Sequence, residues 1–218
     1  MENTMTPSKP MTEGQIGKIN ENLRAALNKA GLQSEPAQKV ITTKSQCNLM
    51  IDEMVAVVRK FVEALSNLII RRVHVDRTRT PQAAIKATGR TPYINHEVVN
   101  TMPMGEGEEA ELVFFKPDLS DRGGQISDDD LEKEYELRDL IPADPNTVCA
   151  FNESDPAFAD EKPHGTHWKN AEGKWCYATF YRWLDDERYV NVYRNDVDWR
   201  DRWSFAGVRK SSVLVPKT

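Results

Sequence analysis

The sequence predicts an α+β protein in which an N-terminal helical arm precedes a C-terminal antiparallel β-sheet. Two patterns and one concentration predict it. Apolar residues recur every three or four positions through the first third of the chain, the mark of amphipathic helices. Apolar and polar residues alternate through 174–183, 188–194 and 203–210, as strands of a meander require. All five tryptophans (Trp168, Trp175, Trp183, Trp199 and Trp203) fall in the last 51 residues.

The first helix is expected from Thr12. Thr12 and Gln15 have capping-box spacing, and Ile16, Ile19, Leu23, Leu27 and Ala30 then mark one face up to Gly31. Residues 1–11 read as a disordered tail and 33–36 as a break. A second helix is expected over 46–70. Met50, Met54, Val57, Phe61, Ala64 and Leu68 are spaced 4-3-4-3-4, and Ile51, Val55, Val58, Val62, Leu65 and Ile69 repeat that spacing one residue along. Two adjacent heptad rows make a stripe wider than a two-stranded seam. The helix therefore needs more than one neighbour, and a second copy of the chain is expected to supply part of the cover. Met54, Val58, Phe61, Val62 and Leu65 are the candidate oligomerisation residues of this coiled-coil-like helix.

From residue 71 the character changes. Val73 and Val75 alternate as in a short strand, and Thr80-Pro81 opens a short helix that Gly89 ends. A further helical turn is expected over 95–101. Glu111 to Lys116 reads as a buried strand, and Ser127 with Asp128, Asp129 and Asp130 opens a helix expected to run to about Leu140. Thr147 to Phe151 reads as a short strand and 152–165 as a long loop. Val213 to Val215 could add an edge strand. The chain is thus divided into a tail (1–11), a helical arm (12–70), a mixed acidic middle (71–161) and a Trp/Tyr-rich β region (162–218).

Composition limits the classes available. With 218 residues the chain can bury about 70% of its unfolded surface, so it needs no disulfide or metal to hold a core. Cys47, Cys149 and Cys176 are few and odd in number, which fits a reducing cytoplasm. No apolar h-region opens the chain, and the longest apolar stretch, 49–70, is interrupted by five charges, so no membrane partner is expected. The net charge of -5 hides a division: residues 1–100 carry +5, 101–161 carry -14 and 162–218 carry +4. Such ends can neutralise the middle within or between subunits, or meet an anionic partner.

Alternation sorts the last strands into two faces. One carries Cys176, Ala178, Phe180, Val190, Val192 and Ala206, as expected of a core under helices. The other carries Trp175, Tyr177, Tyr181, Trp183, Tyr189, Tyr193 and Trp203, with Thr179, Asn191 and Phe205 among them. That composition fits a core with hydroxyls at its rim, a sheet covered on both sides, or a recognition surface for a protein or glycan.

Catalytic signatures are few. His164 and His167 form an HxxH pair that Cys176 could join as a zinc ligand, but closed zinc sites show paired short spacings and only half of one is present. The three aspartates lack the alternation of a calcium loop. No nucleophile elbow, P-loop or dinucleotide fingerprint occurs, and no cofactor is expected. Residues 77–90 and 127–210 resemble stretches of uncharacterised bacterial proteins with a Trp-rich C-terminal end, a resemblance that implies no activity or residue role.

The sequence therefore points to a non-enzymatic structural or interaction protein. It would self-associate through its N-terminal helices and present the aromatic β surface to a protein or glycan. Two alternatives stand beside it. One is nucleic-acid binding through Arg71, Arg72, Arg77, Arg79 and Arg90, with rings supplying stacking. The other is a metal-dependent enzyme, which a cleft gathering His164 and His167 with acidic residues would favour.

Overall fold

The computed structural model describes residues 11–184 and 186–210, with the backbone alone at 59, 60 and 62–66. The expected tail before residue 11 and the edge strand at 213–215 lie outside the described residues. Two units emerge, residues 1–66 and 67–218.

The first unit is helical. α1 (Glu13–Lys29) opens with the predicted capping box: Thr12 Oγ1 accepts from Gln15 N at 3.3 Å and Gln15 Oε1 accepts from Thr12 N at 2.8 Å. α2 (Ser34–Thr42) occupies the stretch after the expected break. Pro36 sits in its first turn, where a missing N–H is no loss. Thr43, with extended backbone, separates it from α3 (Lys44–Ser66). α3 stops four residues before the expected end. Asn67 turns left-handed at φ 53°, and Leu68 onward pairs as a strand instead.

The second unit contains β1 (Leu68–His74), α4 (Pro81–Ala87), β2 (Thr91–Ile94), α5 (His96–Val99) and β3 (Glu109–Phe115). β4 (Gln125–Ile126), α6 (Asp128–Glu136), β5 (Leu140–Pro142), α7 (Pro145–Ser154) and α8 (Phe158–Glu161) follow. β6 (His164–Lys169), β7 (Trp175–Arg182), β8 (Arg188–Arg194), β9 (Trp199–Arg200) and β10 (Ser204–Arg209) complete it.

Local chemistry explains where these elements depart from expectation. Residues 147–151 are helical, because Asp144 caps the helix by accepting from Thr147 N at 2.9 Å and Pro145 stands at its first position. That start signal outweighs the β-branched pair Thr147-Val148. α6 ends at Glu136 because Asp139 turns left-handed at φ 55°, and Leu140 to Pro142 then pair with β10. His164 and His167 stand on a strand, not in a loop.

The strands form a mixed, mostly antiparallel sheet ordered β1-β3-β10-β6-β7-β8-β2, with β5 pairing the far half of β10. β7 and β8 pair as expected, but the third strand of the meander is β6 and not 203–210. β10 does not extend it: the chain recrosses the sheet through β9, and β10 enters between β3 (antiparallel) and β6 (parallel). Gly207 marks the close approach this requires, since a Cβ there would meet Tyr135 and the Ile141 carbonyl at 3.0 and 3.1 Å.

Both faces of the sheet are covered. On one, Leu112, Phe114, Ala178, Phe180, Val190 and Val192 pack with Ile85, Val98, Val148 and Phe151 from the helices. On the other, Val113, Phe115 and Phe205 pack with Leu131 and Tyr135 of α6 and with Trp199 and Trp203. No helix among the described residues is long and apolar enough to cross a membrane.

Candidate functional site

The aromatic face is graded from core to surface. Next to β10 it is covered: the segment 195–203 folds over it, burying Trp199 and Trp203. Trp203 thus belongs to the core and not to an exposed recognition surface; its ring meets Tyr181 edge-on at 5.8 Å and Trp199 at 6.1 Å. Away from β10 the cover thins. Trp175, Tyr177, Tyr181, Tyr189 and Tyr193 are half-buried, and Trp183 is 47% exposed. Register places Tyr177 opposite Tyr193 and Tyr181 opposite Tyr189, and the rings of Tyr181 and Tyr189 stack at 5.7 Å. β2 adds Tyr93, 65% exposed and stacked on Tyr193 at 5.7 Å. Sequence reasoning missed Tyr93 because four residues containing a proline gave no strand signal.

A groove of about 450 Å³ opens at the end of this face, between Tyr181, Trp183, Leu184, Arg202 and Trp203. Arg202 lies over the rings of Trp203 and Trp183 at 4.7 and 5.8 Å. Leu184 at the β7–β8 turn is 93% exposed. Tyr, Trp and Arg around an open depression are the side chains that anchor protein partners.

The histidine pair separates. Positions three apart on a strand point to opposite faces, so His164 and His167 cannot share a ligand. His164 lies on the helix side among Phe114, Phe158 and Phe180. Its Nδ1–H donates to the Lys162 carbonyl and its Nε2 accepts from Asn152 Nδ2, each at 2.9 Å. Burial holds its pKa down to about 3, so it is a neutral core group. Cys176 is buried on that helix side, away from His167. Among the described residues no three His, Cys, Asp or Glu side chains are grouped to hold a metal.

His167 is the more informative of the two. Its ring is buried between Trp175, stacked at 4.5 Å and 9°, and Tyr135 at 5.6 Å. Nδ1 meets Asp128 Oδ1 at 2.7 Å, and Nε2 lies 2.9 Å from Glu132 Oε1. The Glu132 contact is out of line with the N–H bond, so it is an ion pair without an aligned hydrogen bond. Burial alone would lower the pKa of His167, but the hydrogen bond to Asp128 and the charges of Asp128 and Glu132 outweigh it and raise it. Asp128 is fixed in turn by Trp199 Nε1 and Asn195 Nδ2, each donating at 2.7 Å. The aspartate expected only to serve the helix terminus is therefore also the hub of a buried network. Its i, i+4 spacing from Glu132, which puts both carboxylates on one helix face, was the signal available in the sequence. Glu132 and His167 border a cleft of about 840 Å³.

The arginines of 71–90 are largely engaged within the fold. Arg77 donates to Asp144 Oδ1 and Thr147 Oγ1 at 2.8 Å and to the Met104 and Gly107 carbonyls. Gly105 in that clamp sits at φ +66°, and a Cβ would collide with the Asp144 carboxylate. Arg79 pairs with Asp76 and Glu153. Arg90 is buried, donating to the Tyr181 and Pro156 carbonyls, and burial lowers its pKa to about 10. Arg71 lies 5.6 Å over the Phe158 ring, and Arg72, the most exposed, is 3.7 Å from Glu111.

No protein-family model, curated protein or solved structure matches the chain.

Proposed function

We propose that this is a non-enzymatic interaction protein that self-associates through residues 12–66 and offers the open end of its aromatic sheet face to a partner protein. One observation carries the reading. Among the described side chains of 11–66 none is buried, while Ile16, Leu27, Leu49, Ile51, Val55, Val57 and Phe61 are each at least 43% exposed. Met54 and Val58 are only half-buried; the side chains of Val62 and Leu65 lie outside the described residues. An amphipathic helix gains most of its stability by packing its apolar face. The apolar positions left open among the described side chains of these helices are satisfied by the same positions of another copy, in the manner of a coiled-coil bundle.

The groove at Tyr181, Trp183 and Arg202 supports the partner half. A protein is preferred to a glycan because an exposed aliphatic residue, Leu184, and an arginine flank the rings. Nucleic acid is disfavoured, because Arg77, Arg79 and Arg90 serve the fold. Three unpaired cysteines, two of them buried, support a cytoplasmic setting.

Light scattering of the full chain at tens of micromolar tests the reading. A mass of two or more times 24.9 kDa supports it, with Phe61→Asp returning the protomer. A 24.9 kDa particle for the unsubstituted chain overturns it.

A further inference from the structure

The 840 Å³ cleft beside His167 falls within the range of about 300–1,000 Å³ common for small-molecule sites. Its floor is built rigidly. The imidazole is 1% exposed, clamped between two rings and oriented by an aspartate that two further donors hold in place. Its Nε2 is buried without an aligned hydrogen-bond partner, and the cleft is lined by His167 and by the Glu132 that stands 2.9 Å from that nitrogen. The nearest carboxylate, Glu132, has a side chain 38% exposed and stands on the wall. A buried donor left out of line is costly, so an acceptor arriving from the cleft gains what Glu132 does not supply.

The walls carry both signs. Asp144 is neutralised by Arg77, Glu109 faces His74 at 3.0 Å and Glu111 faces Arg209 at 3.6 Å. Glu106 also lines the cleft, and its carboxylate has no partner among the described residues. Lys169, its ammonium 4.3 Å from the centre of the Trp175 ring and 3.6 Å from Asp129, also lines the cleft. A simple anion would face the wall glutamates, and a simple cation would face His167 and Lys169. A molecule carrying both charges meets neither conflict.

We propose that this cleft binds a small zwitterion of the amino-acid class, its carboxylate accepting from His167 Nε2–H in place of Glu132 and its ammonium group meeting the Glu106 carboxylate on the wall. Binding is non-covalent. Glu132 swings outward as the ligand carboxylate enters, and Lys169 supplies a second contact to that carboxylate.

The test exposes the full chain to each of the twenty protein amino acids, to sodium acetate and to methylammonium chloride. Each is present at about 10 mM, with the unfolding temperature and the His167 Nε2 resonance recorded. At least one amino acid is expected to raise the unfolding temperature by about 2 °C or more and to move the resonance, while acetate and methylammonium do neither. Lys169→Met and Glu106→Gln, both on the cleft wall, should weaken that binding roughly tenfold. Glu132→Gln should tighten it several-fold by removing the competing carboxylate. Silence from all twenty amino acids overturns the proposal and leaves His167–Glu132 a structural ion pair. A response to acetate alone or to methylammonium alone overturns it as well, since the site would then read a single charge.

Discussion

Residues 13–66 and residues 67–210 solve the burial problem in opposite ways. The sheet unit covers both of its faces from its own sequence: α4, α5, α7 and α8 on one side, α6 and the segment 195–203 on the other. Phe114, Phe115, Phe180 and Phe205 are all at most 2% exposed there. The helical unit has 23 residues in its longest helix and no buried side chain among those described. Hydrophobic residues are plentiful in both units, yet among the described side chains only the sheet unit has an interior. Apolar content alone therefore does not make a core; the elements must also be able to face one another. Two helices joined by a single extended residue, as at Thr43, leave most of their circumference open.

That contrast gives the largest expected effect. Phe114→Ala should cost about 3–5 kcal/mol of stability in urea unfolding, because it opens a cavity among Phe151, Phe158 and His164. Phe61→Ala, 67% exposed in the helical unit, should leave the sheet's midpoint unchanged and reduce association instead. A sheet midpoint that moves equally for both would erase the distinction between the units.

Next in size are the two histidines of β6, three residues apart and opposite in sign. His164 has a folded pKa of about 3, below its ordinary value of 6.5, so the unfolded chain takes up the proton first. Its contribution is complete above about pH 6.5 and is lost as pH falls toward 3, at about 1.4 kcal/mol per pH unit. His167 has a raised folded pKa, so its contribution is complete below about pH 6.5 and is lost as pH rises through the folded value. Unfolding midpoints recorded across pH should fall on both sides, and His167→Gln should flatten only the alkaline side. Loss of the acid side in that variant would contradict the assignment.

Smaller effects sharpen the comparison within the sheet unit. Gly105→Ala forces a side chain into the Arg77–Asp144 clamp at a positive φ and should cost about 1–3 kcal/mol by thermal unfolding. Trp183→Ala at the open end of the aromatic face should change stability by about 0.5 kcal/mol or less in urea unfolding. A large stability loss at Trp183 would move that ring into the core.

The legibility of these features in the sequence follows the range of the forces involved. Local signals were readable: the Thr12–Gln15 box, Thr80-Pro81, the Ser127 cap and the alternation of β7 and β8 all form as expected. The face carrying Ala178, Phe180, Val190 and Val192 was readable for the same reason. Errors arose where two local signals competed. At 144–151, Asp-Pro against a β-branched pair left only the cap to decide, and at 68–70 three apolar residues fit a helix row and a strand equally. The insertion of β10 between β3 and β6 depends on contacts among residues about 90 and 40 positions apart, which periodicity does not encode. Asp128 illustrates the same limit at the site. Its place at a helix start was legible, whereas its bonds to His167, Asn195 and Trp199 exist only once the sheet has closed.

Helicity measured against protein concentration tests the central claim most directly. Helices in proteins draw most of their stability from packing an amphipathic face, so the 12–66 unit, with its apolar side chains open, should be stable only when copies associate. Thermal melting of the full chain followed by circular dichroism should resolve two transitions. One belongs to the helical unit and rises in midpoint with concentration; the other belongs to the sheet unit and does not. A helical transition whose midpoint is the same across a hundredfold range of concentration would contradict self-association and the account built on it.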